Sequence, residues 1–188
     1  LHGIHFLDNG NYHYMTRIFT DRIREPFALV LYDNHTDMQK PEFPQILSCG
    51  DWAGAALRGN PYLKQMILAG PEQSTLDEIE PELRKKLICI SREEIEERKV
   101  DDKLPLIKMD LPVYISIDKD VLDRSEARTN WDQGEMPLFV LEKLLLEVFE
   151  HQPVIGVDIC GECSLLEPLR ELMEDEHVNK VTNDALYR

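Results

Sequence analysis

The sequence predicts an α/β fold: a doubly wound, mostly parallel sheet with helices on both faces. Three observations predict it. Short apolar runs alternate with longer amphipathic or polar stretches along the chain. Several runs are apolar on both faces, as strands covered by helices on both sides must be. Acidic clusters fall where runs end, and ligands in such sheets gather at the carboxyl ends of the strands.

The expected strands are 4-IHFLD-8, 28-ALVLYD-33, 45-QILSC-49, 65-QMILA-69, 87-LICIS-91, 113-VYISID-118 and 154-VIGVD-158. Helices are expected between them. The stretch 12-YHYMTRIFTDRI-23 spaces aromatic and aliphatic residues helically. Ser91 followed by Glu94 matches a capping box that opens a short helix. In 137-PLFVLEKLLLEVFEH-151, Pro137 stands near the start, where its missing N–H is tolerated. The tail from Pro168 to Arg188 is polar and helix-prone, with a looser apolar pattern. With 188 residues, no repeat and no convincing linker, residues 1–188 read as a single domain. The chain opens at Leu1 rather than Met, which leaves room for a missing N-terminal segment.

Net charge is -15, from 36 acidic against 21 basic residues. Such a surface repels nucleic acid and anionic membranes and suits a small cationic partner, although solubility alone explains a negative surface. No apolar run approaches the ~20 residues a membrane helix needs. Cys49 and Cys89 sit in apolar runs and read as buried thiols. Cys160 and Cys163 form a C-x-x-C with no second cysteine or histidine pair to complete a zinc site, and read as incidental cysteines at a strand end. Without a disulfide framework, a cytoplasmic location is expected.

Two motifs carry the chemistry. After the run Ala28 to Tyr32 come Asp33, His35 and Asp37, at every second position. After Val113 to Ile117 come Asp118 and Asp120. Residues two apart on extended backbone point to the same side, so each motif gathers its side chains at the end of its own strand. Four carboxylates crowded together repel one another, and divalent cations remove the conflict. Carboxylates with one or two imidazoles suit Mn²⁺, Zn²⁺ or Fe²⁺, and the oxygen-rich balance tilts towards Mn²⁺. A lone D-x-D after a strand is more often an Asx-capped turn. Two such motifs at the ends of apolar strands favour a site.

These residues resemble the arginase/agmatinase/formiminoglutamase (ureohydrolase) family. The segment 33-DNHTD-37 is similar to its D-A-H-x-D signature, and 116-SIDKDVLD-123 to its S-x-D-x-D-x-x-D segment. The family's upstream histidine has a counterpart in His13 of 9-NGNYHYMT-16. The resemblance covers most of the chain and implies an arginase-like three-layer α/β/α fold with two divalent metal ions, usually manganese, with Zn²⁺, Fe²⁺ or Co²⁺ as the other options. It implies one ion on His13, Asp33, Asp37 and Asp118, and the other on His35, Asp33, Asp118 and Asp120. The implied activity is hydrolysis of a C–N bond in a linear amidine or guanidine, such as an agmatine-, arginine- or formiminoglutamate-like substrate, with Asp37 orienting the nucleophile.

The family's D-x-x-E segment resembles 156-GVDICGECS-164, one residue longer, in which Gly161 would form a bulge. Glu162 is thereby expected to face substrate, and Asp158 to support the site or cap a turn. The loop 127-ARTNWDQGEM-136 lies where the family places substrate contacts, so Asn130 and Trp131 are expected in the pocket, with Thr129 and Asp132 as further candidates; a solvated turn is the alternative. Between His35 and His151 the chain has no histidine, where the family's arginases carry a proposed proton shuttle. The segment 47-LSCGDWAGAALRGN-60 stands there, with Asp51 or Trp52 as pocket candidates. A metal-binding scaffold impaired in turnover is therefore the second expectation. Family members often assemble, so a homo-oligomer is compatible with the resemblance. His5 reads as a strand residue, His2 as terminal, His151 as a helix C-terminal partner and His177 as surface.

Overall fold

In the computed structural model, residues 3–41, 46–163 and 168–188 are described. Six strands form one sheet: β1 (Ile4–Phe6), β2 (Phe27–Tyr32), β3 (Leu63–Ala69), β4 (Leu87–Ile90), β5 (Val113–Asp118) and β6 (Val154–Cys160). Every neighbouring pair is parallel, and the order across the sheet is β1-β6-β5-β2-β3-β4. The helices are α1 (Met15–Thr20), α2 (Trp52–Gly59), α3 (Gln73–Asp77), α4 (Arg92–Glu96), α5 (Leu138–His151) and α6 (Leu169–Leu186).

Strand alternation sorts the core into two layers. On β2, Phe27, Leu29 and Leu31 pack with Trp52, Ala53, Ala56 and Leu57 of α2 and Phe19 of α1. Ala28, Val30 and Tyr32 face the other way, towards Leu141, Leu144 and Val148 of α5. Both faces of β2 and β5 are therefore buried along their whole length, which is why these strands read as continuous apolar runs.

From β2 the chain winds outward through β3 and β4, then returns to the other flank of β2 as β5 and continues to β6. The strand order reverses between β2 and β5. At such a switch point the connections leave in opposite directions and open a crevice at the carboxyl edge. Asp33 follows β2 and Asp118 ends β5, so both motifs open onto that crevice.

Several expectations need adjusting. The run 45-QILSC-49 is not a strand: Gln45 lies outside the described residues, and Ile46 to Cys49 are loop and turn along the rim of the crevice. Ile46 and Cys49 line the cleft, Leu47 packs on the core beside α2, and Ile46 stays largely exposed. The helix expected over 12–23 splits into a tight turn, Gly10–Tyr12, and the shorter α1, with His13 closing the turn. The capping box holds: Glu94 N–H donates to Ser91 Oγ at 3.2 Å, and Ser91 N–H to Glu94 Oε2 at 3.0 Å. No helix among the described residues is long and apolar enough to cross a membrane.

Candidate metal centre

The first aspartate of each motif spends one carboxylate oxygen on its own turn and directs the other towards His13. Asp33 Oδ1 accepts from His35 N–H at 2.6 Å, and Asp118 Oδ1 accepts from Asp120 N–H at 3.0 Å. These are the Asx turns that a lone D-x-D forms. Here they also aim Asp33 Oδ2 and Asp118 Oδ2 at His13, whose Nδ1 lies 3.3 Å from the first and 3.5 Å from the second. Asp37 completes the group, with Oδ2 3.0 Å from the same nitrogen. Its backbone is left-handed, with φ 51, a conformation Asp tolerates better than most residues, and its carbonyl accepts from Ala53 and Gly54 at the start of α2.

A second group stands beside the first. His35 Nδ1 lies 2.9 Å from Asp120 Oδ2 and 3.6 Å from Asp33 Oδ1. Asp120 Oδ1 accepts from Asn34 N–H at 3.0 Å, which ties the two motifs together. The two oxygens of Asp33 thus serve two groups, His13–Asp33–Asp37 and Asp33–His35–Asp120, each with donor atoms within 4.8 Å of one another.

Outside this ring, a chain of hydroxyls orients His13. Its Nε2 lies 2.9 Å from Ser116 Oγ, which donates to Asp158 Oδ1 at 2.6 Å, and Thr16 Oγ1 donates to the same oxygen at 3.0 Å. With Nε2–H given to Ser116, Nδ1 is free to face the carboxylates. On the other side, Trp52 Nε1–H donates to Asp37 Oδ2 at 2.6 Å, and the indole packs on the His13 ring at 4.8 Å between centroids. Asp158 therefore supports the site, as one of its two expected roles had it. Ser116 and Thr16 were not expected, and Trp52, a pocket candidate, is instead buried behind Asp37 and is not part of the cleft wall. Ser116 carried one usable signal, since it stands two residues before Asp118 on the same strand face.

The electrostatics match a site short of positive charge. Burial, and then the charge of Asp120, push the Asp118 carboxyl up to about 7; burial, and then Asp33, push Asp120 up to about 6. Burial raises Asp37 as well. Hydrogen bonds to Asp120 and Asp33 hold the His35 imidazolium up to about 11. Asp33 Oδ2 is buried and accepts no hydrogen bond among the described residues, although His13 stands beside it. Two donors about 2.1 Å from one ion stand roughly 3.0–3.5 Å apart, close to the spacings around His13 Nδ1. The residues present fit divalent cations.

The groups floor a cleft of about 320 Å³ walled by Gln39, Ile46, Ser48, Cys49, Asp51 and Trp131. Asp51 is fixed by Ser48, whose backbone N–H and Oγ donate to it at 3.0 and 2.7 Å. Trp131 stands over Gly10, where a Cβ would meet its ring at 2.7 Å, so this close approach requires glycine. Asn130 does not line the cleft. It accepts from Gly10 N–H at 3.0 Å and donates to Asn11 at 3.2 Å, bracing the turn before His13. Thr129 and Asp132 make contacts that hold the same loop.

Glu162 departs from its expected place. Its Oε1 accepts from Lys119 Nζ at 2.6 Å and from Asn183 Nδ2 at 2.9 Å, and it borders a separate hollow with Phe6, Lys180 and Tyr187. A fully buried lysine needs a carboxylate, and Lys119 claims this one. Gly161 does take an unusual conformation, with φ 95, where the chain turns after β6.

A family model described as "Arginase family" matches residues 9–160. An uncharacterised protein of Thermotoga maritima is 33% identical over 191 residues, covering 98% of this chain and 68% of that protein. Formimidoylglutamase from Bacillus subtilis aligns with TM-score 0.69 at 16% identity, over 94% of this chain and 58% of that one. Formiminoglutamase from Trypanosoma cruzi, solved with Mn²⁺, aligns with TM-score 0.70 at 13% identity, over 95% and 62%. The chain thus spans about three-fifths of the length of these two solved proteins. The matched motifs, the parallel sheet and the family model agree, and the chain belongs to the arginase family.

Proposed function

We propose that this protein is a metal-dependent hydrolase that cleaves a non-peptide C–N bond in a small linear amidine or guanidine, using two divalent ions. The observation that carries this reading is the division of Asp33 between two donor groups at the floor of one cleft. His13, Asp33, Asp37 and Asp118 would hold one ion; His35, Asp33, Asp118 and Asp120 would hold the other. When bound, such a pair supplies Lewis-acid charge and lowers the pKa of a water nucleophile.

The protein's own groups do the rest. Asp37 Oδ2, fixed by the Trp52 indole, orients the nucleophile and takes its proton, and then returns that proton to the departing amine. Trp131 offers an aromatic face to a planar cation at the cleft mouth. The negative cleft and the net charge of -15 favour entry of that cation.

A panel of agmatine, arginine and formiminoglutamate, assayed for amine, urea or formamide release after metal reconstitution, tests the reading. Turnover of one substrate, lost in Asp37→Asn, supports it. A second reading, a metal-bound scaffold without turnover, is favoured by one observation: Glu162 is engaged by Lys119 and Asn183 outside the cleft. Metal binding with no turnover across the panel would select it.

A further inference from the structure

We propose that Cys160 is a further donor to this metal centre, and that the position it shares with His13 and Asp118 takes Zn²⁺ in preference to Mn²⁺. The inference rests on the metal-dependent reading above and specifies one donor set of that same site.

Cys160 ends β6 and stands in register with Asp118 on the neighbouring β5. Its Sγ donates to Asp118 Oδ2 at 3.1 Å. The donor atoms of His13, Asp118 and Cys160 lie within 4.8 Å of one another, and all three residues are buried. A sulfur about 2.3 Å and an oxygen about 2.1 Å from one ion stand roughly 3.1–3.6 Å apart. An independent observation stands beside it, on the other side of the shared histidine: Asp33 Oδ2 is buried, has no hydrogen-bond partner among the described residues, and faces His13 Nδ1 at 3.3 Å.

Two features separate Cys160 from a thiol that merely fills space. The next residue, Gly161, turns the chain in the left-handed region, and a Cβ there would meet Asp118 Oδ1 at 2.6 Å. The backbone is therefore pressed against the carboxylate that the sulfur contacts. The other thiols differ: among the described residues Cys163 belongs to no such donor group, and Cys49 lies on the cleft wall.

On coordination the S–H proton leaves to solvent and the thiolate donates an electron pair, with no change of oxidation state. Thiolate donors favour zinc, whereas carboxylate-rich sets suit manganese. The His35–Asp33–Asp120 group, which holds only oxygen and imidazole, keeps the manganese-type donor set.

Cobalt, a spectroscopic stand-in for zinc, tests this directly. The metal-free protein is titrated with Co²⁺, bound cobalt is counted by elemental analysis, and the near-ultraviolet spectrum is recorded. The expected result is a thiolate-to-cobalt charge-transfer band that persists in Cys49→Ser and Cys163→Ser and vanishes in Cys160→Ser. Cys160→Ser is also expected to lose about tenfold in Zn²⁺ affinity relative to Mn²⁺, the lower end of what losing a supporting group costs a metal site. Cobalt bound without the band, or a band that survives Cys160→Ser, overturns this inference and leaves the metal-dependent reading intact. No bound cobalt in wild-type protein overturns both.

Discussion

Trp52 reaches Asp37 through a single hydrogen bond, 2.6 Å from its Nε1 to Oδ2, and packs on the His13 ring. Phenylalanine keeps an aromatic ring in place but removes that donor, together with part of the buried indole. Trp52→Phe is expected to fold with some loss of stability and to lose about 10–100-fold in turnover, the usual cost of removing a group that orients a ligand. Turnover at the wild-type level in steady-state assays would show that Asp37 needs no such support. Gly161 is a backbone case. Alanine there would have to hold φ 95 and place its Cβ 2.6 Å from Asp118 Oδ1. Gly161→Ala should cost ~1–3 kcal/mol, read from urea denaturation, and should also weaken metal binding. The motif residues were legible because a spacing of two on a strand has one geometric meaning. The groups that orient them were less so, because Thr16, Ser116 and Asp158 come from three separate elements and meet only in the fold.

At the scale of elements, α6 is tied down largely by polar groups. Asn183 and Glu162 both engage Lys119, and Asn179 exchanges two hydrogen bonds with the Arg128 backbone. This explains why its apolar periodicity was weak in the sequence. Lys119 is wholly buried, so removing its partner leaves a desolvated ammonium. Glu162→Ala is expected to destabilise the protein by ~1–3 kcal/mol, whereas Lys119→Met should be close to neutral. Chemical denaturation of both variants checks the asymmetry; equal losses would contradict it. The buried strands were readable because a strand covered on both faces has to be apolar throughout. The run from Ile46 to Cys49 has the same composition and misled for a physical reason: Ile46, Ser48 and Cys49 wall a cleft while Leu47 packs on the core, and composition alone does not distinguish that from a sheet.

For the whole molecule, the acidic site couples stability to pH. Asp118 and Asp120 are raised from 3.8 to about 7 and about 6 in the folded protein. Folding therefore favours their protonated forms, and in metal-free protein the resulting stabilisation is full below 3.8 and is lost as pH rises through about 7. His35, raised from 6.5 to about 11, shifts stability in the same direction at higher pH. Bound cations replace those protons. The rise in melting temperature on adding metal should accordingly grow as pH increases from about 4 to about 7, a trend that thermal melts with and without metal can follow. A pH-independent rise would mean that the cluster does not hold its protons as described. The switch point between β2 and β5 is what brings two motifs 85 residues apart, Asp33 and Asp118, to one crevice. Strand alternation implied such a crevice, but the strand order itself was not readable, because it depends on which strands pair.

On the proposed reading, Asp33 is shared between two cation positions. Metal stoichiometry by elemental analysis tests it most directly, comparing wild-type protein with Asp33→Asn after reconstitution. About two ions per wild-type chain are expected, with loss of both in the variant, because each group loses a donor. Metal-free wild-type protein, or a variant that still holds two ions, would contradict it.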